Sequence, residues 1–183
     1  MITIDLPSWL KQWKFPAVVR TEEEAMALAI EASRRNVEEG TGGPFGAVVV
    51  DASSGKVISV GVNLVVQGHA SVLHAEMVAL TLAQQKLEAD NLGVGGRKMM
   101  LYSSSEPCAM CMGAIPWSGV KRLTYAAHDE DVRGIGFDEG DKPRDWEAAY
   151  GKRGIEVRQS GRALREKAVE VLREYKENGG VIY

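Results

Sequence analysis

The chain of 183 residues is 45% hydrophobic and 26% charged, the proportions of one globular domain, and residues 1–183 are read as one. A net charge of −3 and an isoelectric point near 5.7 weigh against a broad phosphate-binding surface and put a small-molecule partner ahead of nucleic acid. No apolar run is long enough to span a bilayer and no signal-peptide pattern appears, so the expected setting is cytoplasmic, without a membrane partner.

Residues 1–20 place Trp9, Trp13 and Phe15 between Pro7 and Pro16. Disordered tails seldom hold so many aromatics, so this stretch is expected to lie as an arm on the domain. Thr21-x-x-Glu24 has the form of a capping box, and Ala25, Leu28, Ala29 and Ala32 continue it at helical spacing to a stop near Gly40. After Gly42-Gly43-Pro44, Phe45–Asp51 and Lys56–Val62 predict two strands, paired as a hairpin around Ser53-Ser54-Gly55. A loop from Asn63 to Val72 leads to a helix that starts at His74 and runs to about Glu88. Gly93–Gly96 lacks the Lys-Ser/Thr of a phosphate loop and reads as a turn.

Lys98–Ser103 predicts a strand, residues 107–118 a helix with Pro107 at its first position, and Arg122–Ala126 another strand. Ala127–Ala149 reads as a long acidic loop. Asp129, Asp131 and Gly134 fall there in the rhythm of a calcium site, but Arg133 and Gly140 stand where ligands are needed. A short strand near Ile155–Val157 precedes a last helix, capped by Ser160, with Leu164, Ala168, Val171, Leu172 and Tyr175 on one face. Gly179-Gly180 ends it and opens a tail over residues 179–183. Strands that alternate with helices after an opening hairpin predict an α/β fold whose mixed sheet is covered on both faces.

His74-Ala75-Glu76 and Pro107-Cys108-Ala109-Met110-Cys111 hold three metal-ligand side chains and one carboxylate. Three protein ligands leave a fourth position for water, the ligand count of a catalytic zinc, and such a site needs a group nearby to carry protons. His74, Cys108 and Cys111 supply the ligands, and Glu76 the proton carrier. Cys108 and Cys111, three apart, share one face of a helix's first turn, where the positive end of the helix favours thiolates. A lone Cys-x-x-Cys also suits a redox pair or half of a structural zinc site. This chain has only two cysteines and three histidines, so a closed site would need His69 or His128, both of which are assigned to surface or core.

His-x-Glu followed by Pro-Cys-x-x-Cys resembles the signature of the cytidine deaminase-like superfamily. Gly-Gly-Pro-Phe-Gly-Ala at 42–47, Asn63, His74-Ala75-Glu76, Glu106-Pro107-Cys108, Ala114-Ile115-x-Trp117 and Gly136-Phe137-Asp138-Glu139 narrow the resemblance to the small bacterial guanine deaminases of that fold. It covers most of the chain. The resemblance implies a three-layer α/β/α cytidine deaminase-like sandwich with a five-stranded mixed sheet, one zinc ion per chain and a homodimer. The implied reaction is hydrolysis of guanine to xanthine and ammonia, with amino-triazines such as ammeline as related substrates and Glu76 moving protons from water to the leaving ammonia.

Carried over by position, the resemblance implies that Phe45 lines the base pocket, that Asn63 and the Ala75 backbone amide contact the base, and that Trp117 is a pocket aromatic. Glu139, with Asp138 beside it, would meet the amino and imino edge of the base as a second catalytic carboxylate. Guanine offers an N1–H and a 2-amino donor there, so an acceptor-only carboxylate suits it better than adenine, whose N1 accepts. Gly68-His69-Ala70-Ser71 departs from the Asp-Pro often found at this place in guanine and tRNA adenosine deaminases. A C-terminal segment that closes the active site of a dimer, with Tyr183 taking part, is also implied. Among rivals, a tRNA adenosine deaminase calls for a basic face, and a cytosine or deoxycytidylate deaminase does not call for the acidic pair at 138 and 139. A deaminase fold that only binds a nucleotide has no use for Glu76.

Overall fold

A computed structural model describes residues 3–183. Five strands form one mixed sheet: β1 (Gly46–Asp51), β2 (Val57–Val62), β3 (Met99–Ser105), β4 (Arg122–Ala127) and β5 (Glu156–Gln159), in the order β2-β1-β3-β4-β5. β1 pairs antiparallel with β2 and with β3, whereas β3, β4 and β5 run parallel. The helices are α1 (Ser8–Gln12), α2 (Glu22–Glu38), α3 (Val65–Gly68), α4 (Ala75–Leu87), α5 (Ala109–Ala114), α6 (Asp129–Ile135), α7 (Trp146–Lys152) and α8 (Arg162–Glu177).

Residues 46–50 of β1 are all buried, with Val48 and Val50 in one core and Ala47 and Val49 in the other. Unbroken apolar runs of this kind belong to strands covered on both faces. The first core contains buried side chains of α2, α6 and α8, the second those of α4, α5 and α7. The result is the expected three-layer α/β/α sandwich. Gly61 sets the spacing on the second face, because a Cβ there would run into the Ala75 carbonyl and the Ala79 amide. Helix α4 can therefore lie directly on β2 and bring His74 to the end of the sheet.

The N-terminal arm lies on the domain. Trp9, Trp13 and Phe15 pack against the first core, Trp9 Nε1 donates to Thr41 Oγ1 (2.8 Å), and Val18 bridges to Lys56. The cap of α2 differs from the expected box: Thr21 Oγ1 accepts from the Glu24 amide (3.1 Å), but the Glu24 carboxylate reaches the Arg20 amide (2.6 Å), one residue earlier. Residues 63–72 contain the short α3.

The cysteine helix is shorter than expected. Cys108 is the N-cap, Pro107 precedes it, and α5 stops at Ala114 before a 3₁₀ turn over Ile115–Trp117, where Pro116 removes a backbone donor. Ala127–Ala149 is not a single loop, since α6 opens it and α7 closes it. Asp131 accepts from the His128 amide (2.8 Å) at the start of α6, and Trp146 and Tyr150, one turn apart, are buried in α7. The N-cap of α8 is Gly161, while the Ser160 amide donates to the Tyr125 carbonyl (2.8 Å) and extends the parallel edge. No helix among the described residues is long and apolar enough to cross a membrane.

Candidate active site

Two helix starts face each other at one end of the sheet. His74 is the N-cap of α4 and Cys108 the N-cap of α5; both have extended backbone angles, and neither side chain caps its own helix. Their donor atoms are therefore free to meet. Cys108 Sγ lies 3.4 Å from His74 Nδ1, and with Cys111 Sγ the three atoms fall within 4.8 Å of one another. Zinc bonds of about 2.1 Å to nitrogen and 2.3 Å to sulfur, at a tetrahedral angle, hold such atoms about 3.6 Å apart. The donor set and its spacing fit zinc.

The neighbouring Cys111 thiol, with help from His74, holds the Cys108 thiol down to about 4 against the effect of burial. The same bond, with burial, pushes Cys111 up. His69 is exposed and His128 packs edge-on against Tyr125 at 5.8 Å. Among the described residues the metal-binding group consists of His74, Cys108 and Cys111.

Glu76, the second residue of α4, is buried. Burial and the Cys108 sulfur push its carboxyl up, and His74 pulls it down less strongly. A carboxyl raised in this way exchanges protons more readily in the neutral range.

The cleft above these residues is walled by Phe45, Asn63, Ser105, Phe137, Glu139 and Tyr183. Phe45 and Phe137 meet edge to face at 5.0 Å. Asn63 is held from behind: Asn36 Nδ2 donates to both the Gly43 and Asn63 carbonyls at 2.9 Å, and a Cβ at Gly42 would collide with the Asn63 carbonyl. Asn63 Oδ1 accepts from the Val65 amide (3.3 Å), while its Nδ2 is buried. Tyr183, at the same cleft, interacts with the Asn63 side chain. Ala75 is fully buried in the first turn of α4, where a helix leaves its amides without intrahelical acceptors.

Glu139 is buried, and its backbone carbonyl accepts from the Ala109 amide (2.9 Å), which ties its loop to the first turn of α5. Burial raises its carboxyl to about 7; Lys142 opposes the rise, while Cys108 and Glu76 add to it. Asp138, between buried Phe137 and Glu139, points to the rim, where its side chain is exposed and Oδ1 accepts from the Gly140 amide (2.9 Å).

Trp117 lies outside the cleft and corrects the expectation of a pocket aromatic. The 3₁₀ turn directs Ile115 inward and leaves Trp117 72% exposed, with the Arg153 guanidinium 4.7 Å from its ring centre. The structure adds lining residues in its place: Ser105, Glu106 and Phe137. The readable signal for Phe137 was alternation, with an apolar residue two before Glu139 and a charge between them. Tyr183 is also at the cleft, its ring centre 5.3 Å from Phe137 and 6.4 Å from His74. Lys142, beneath Glu139, had no signal in the sequence.

Residues 19–127 match the cytidine and deoxycytidylate deaminase zinc-binding region. A solved guanine deaminase from Nitrosomonas europaea is 42% identical, with a TM-score of 0.90 over 97% of each chain. Guanine deaminase of Bacillus subtilis (strain 168) is 38% identical over 117 residues, 64% of this chain and 71% of the relative. The tRNA-specific adenosine deaminase of Haemophilus influenzae is 36% identical over 122 residues, 66% of this chain and 67% of that one. The triad takes one zinc ion per chain, and the protein is a zinc-dependent hydrolase. Because the matched region contains both ligand-bearing helix starts and four of the five strands beneath them, the chain belongs to the cytidine and deoxycytidylate deaminase zinc-binding family.

Proposed function

We propose that this hydrolase converts guanine to xanthine and ammonia, and that triazines with the same donor edge, such as ammeline, are secondary substrates. The observation that carries the reading is Glu139, a buried carboxyl in the same cleft as Glu76 and the metal ligands, which in its ionised form only accepts hydrogen bonds. It is the complement of guanine's N1–H and 2-amino group, and a mismatch for adenine's N1. The likeness to the Nitrosomonas europaea enzyme over nearly the whole chain supports the same substrate.

His74, Cys108 and Cys111 would hold the zinc, which supplies the Lewis acidity that makes water nucleophilic near neutral pH. Phe45 and Phe137, packed against each other, form one wall for the base and exclude water. Asn63 Nδ2 donates to a ring acceptor, the Ala75 amide contacts the base, and Glu139 receives the donor edge with Asp138 guarding the rim. As oxygen adds at C2, Glu76 carries one proton of the water to ring nitrogen N3 and then carries the hydroxyl proton to the departing amine, so guanine and water give xanthine and ammonia with both water protons placed.

The chain is read as a single catalytic domain that acts as a cytoplasmic homodimer. Free buried cysteines support a reducing compartment. Exposed Trp117 and Met110, beside an apolar hollow lined by Met112, Pro116 and Trp146, support a second copy as the cover of that face.

Ammonia release from the zinc-loaded protein should be measured with guanine, ammeline, adenine, cytosine, deoxycytidylate and a tRNA anticodon stem. Release from guanine, with or without ammeline, is expected. Release confined to the tRNA or to the pyrimidines overturns the substrate.

A further inference from the structure

One buried lysine gathers three carboxylates at the edge of the cleft. The Lys142 side chain is 9% exposed, and Nζ lies 2.6 Å from Asp129 Oδ1, 3.3 Å from Glu106 Oε1 and 3.4 Å from Glu139 Oε2. The acids come from three places: the turn between β3 and α5, the start of α6, and the loop after α6. Two of them have second partners. Glu106 Oε2 accepts from the Asp129 amide (3.2 Å) and Asp129 Oδ2 from Arg133 Nε (2.7 Å). Glu139 differs, because its second oxygen, Oε1, accepts no hydrogen bond among the described residues. Arg133 braces the same loop from outside, donating to the Gly140 carbonyl (2.6 Å).

A buried ammonium persists only where carboxylates surround it, and removing it leaves those acids facing one another. The energy of that arrangement goes into a fixed direction for Glu139. We propose that Lys142 is a positioning and specificity-determining residue: by occupying one oxygen of Glu139 it aims the other at the bound base, so that the cleft selects a ring edge that donates hydrogen bonds. This rests on the guanine reading above. Freed from the lysine, Glu139 would rotate away from its like-charged neighbours, and an acceptor misplaced by about 1 Å no longer reads the edge.

Binding of hypoxanthine and of purine to the zinc-loaded full chain tests this by calorimetry. Hypoxanthine keeps guanine's N1–H but has no amine to lose, while purine presents N1 as an acceptor. Wild type should prefer hypoxanthine roughly ten- to hundredfold, the worth of one charge-assisted hydrogen bond. K142M should bind the two about equally, K142R should retain the preference, and K142M should add nothing in an E139Q background, since its effect passes through Glu139. Zinc content and thermal midpoint are read on each variant. If K142M fails to fold, K142M with D129N, which has one acid fewer, carries the same comparison. An undiminished preference in folded, zinc-bearing K142M overturns the role of Lys142 alone, provided wild type prefers hypoxanthine and releases ammonia from guanine. A wild type without the preference overturns both the role of Lys142 and the donor-edge reading.

Discussion

Glu76 and Glu139 are both buried carboxyls with raised pKa values, yet their positions assign them different work. Glu76 stands two residues beyond the ligand His74, with Cys108 and Cys111 acting on its charge, so its carboxyl belongs to the metal side of the cleft. Glu139 is fixed to the loop side by Lys142. Glu76→Gln keeps the shape of the side chain and removes its ability to carry a proton. Turnover should fall by about 10²–10⁴ while zinc content by elemental analysis stays at one per chain. Ammonia release near the wild-type rate from the zinc-loaded variant would remove Glu76 from the proton path. At this scale the sequence was most legible where chemistry dictates residue type and spacing: a ligand set of one His and two Cys has few other uses. Trp117 was misread because an aromatic beside a motif looks the same whether a 3₁₀ turn points it inward or out. Lys142 was invisible, since the partners Asp129 and Glu106 that bury it come 13 and 36 residues earlier in the chain.

Helix α6 shows what local sequence could not carry. Its start lacks the usual Ser, Thr or Asn cap, and its seven residues include three acids and a glycine, so it reads as an acidic loop. Tertiary partners make it a helix. Arg165 of α8 binds Asp131 with Nε to Oδ2 at 2.8 Å and Nη2 to Oδ1 at 3.0 Å, and the same carboxylate accepts from the His128 amide. By contrast, α2, α4 and the hairpin needed no distant partner to be recognised, because their apolar residues repeat with the period of a helix or a strand. Burial alone would raise Asp131, but the bonds from Arg165 and His128 outweigh it and hold its pKa below the ordinary carboxylate value. Such a group contributes stability that is fully present above its unfolded pKa of about 3.9 and lost as pH falls through the lower folded value. Asp131→Ala should therefore cost about 1–2 kcal/mol at pH 7 through the lost cap and ion pair. In urea unfolding at stepped pH, the gap to wild type should begin to close below about pH 4. A gap of constant size down to pH 2 would mean that Asp131 acts through packing and not through its charge.

Across the whole molecule, the metal site joins parts of the chain that the sheet holds in different ways. His74 begins α4, which lies on the antiparallel strands β2 and β1; Cys108 and Cys111 follow β3, where the parallel half begins. Gly61 lets α4 approach, and the Glu139 carbonyl on the Ala109 amide holds the first turn of α5, so the protein positions both helix starts by its own contacts. Zinc then adds a link between them. A ligand that binds the native state and not the unfolded chain stabilises it by about 4 kcal/mol at a free concentration a thousandfold above its dissociation constant. For a chain of this length each kcal/mol moves the melting midpoint by about 2–4 °C. Stripping zinc with a chelator should accordingly lower the midpoint by roughly 8–16 °C, and zinc added back should restore it. Circular dichroism of the stripped protein at low temperature should still show the α/β sandwich, since both cores are complete without the metal. An unchanged midpoint would show that zinc contributes no stability to the native state. Loss of the fold at low temperature would show that the link between α4 and α5, and not the two cores, holds the layers together.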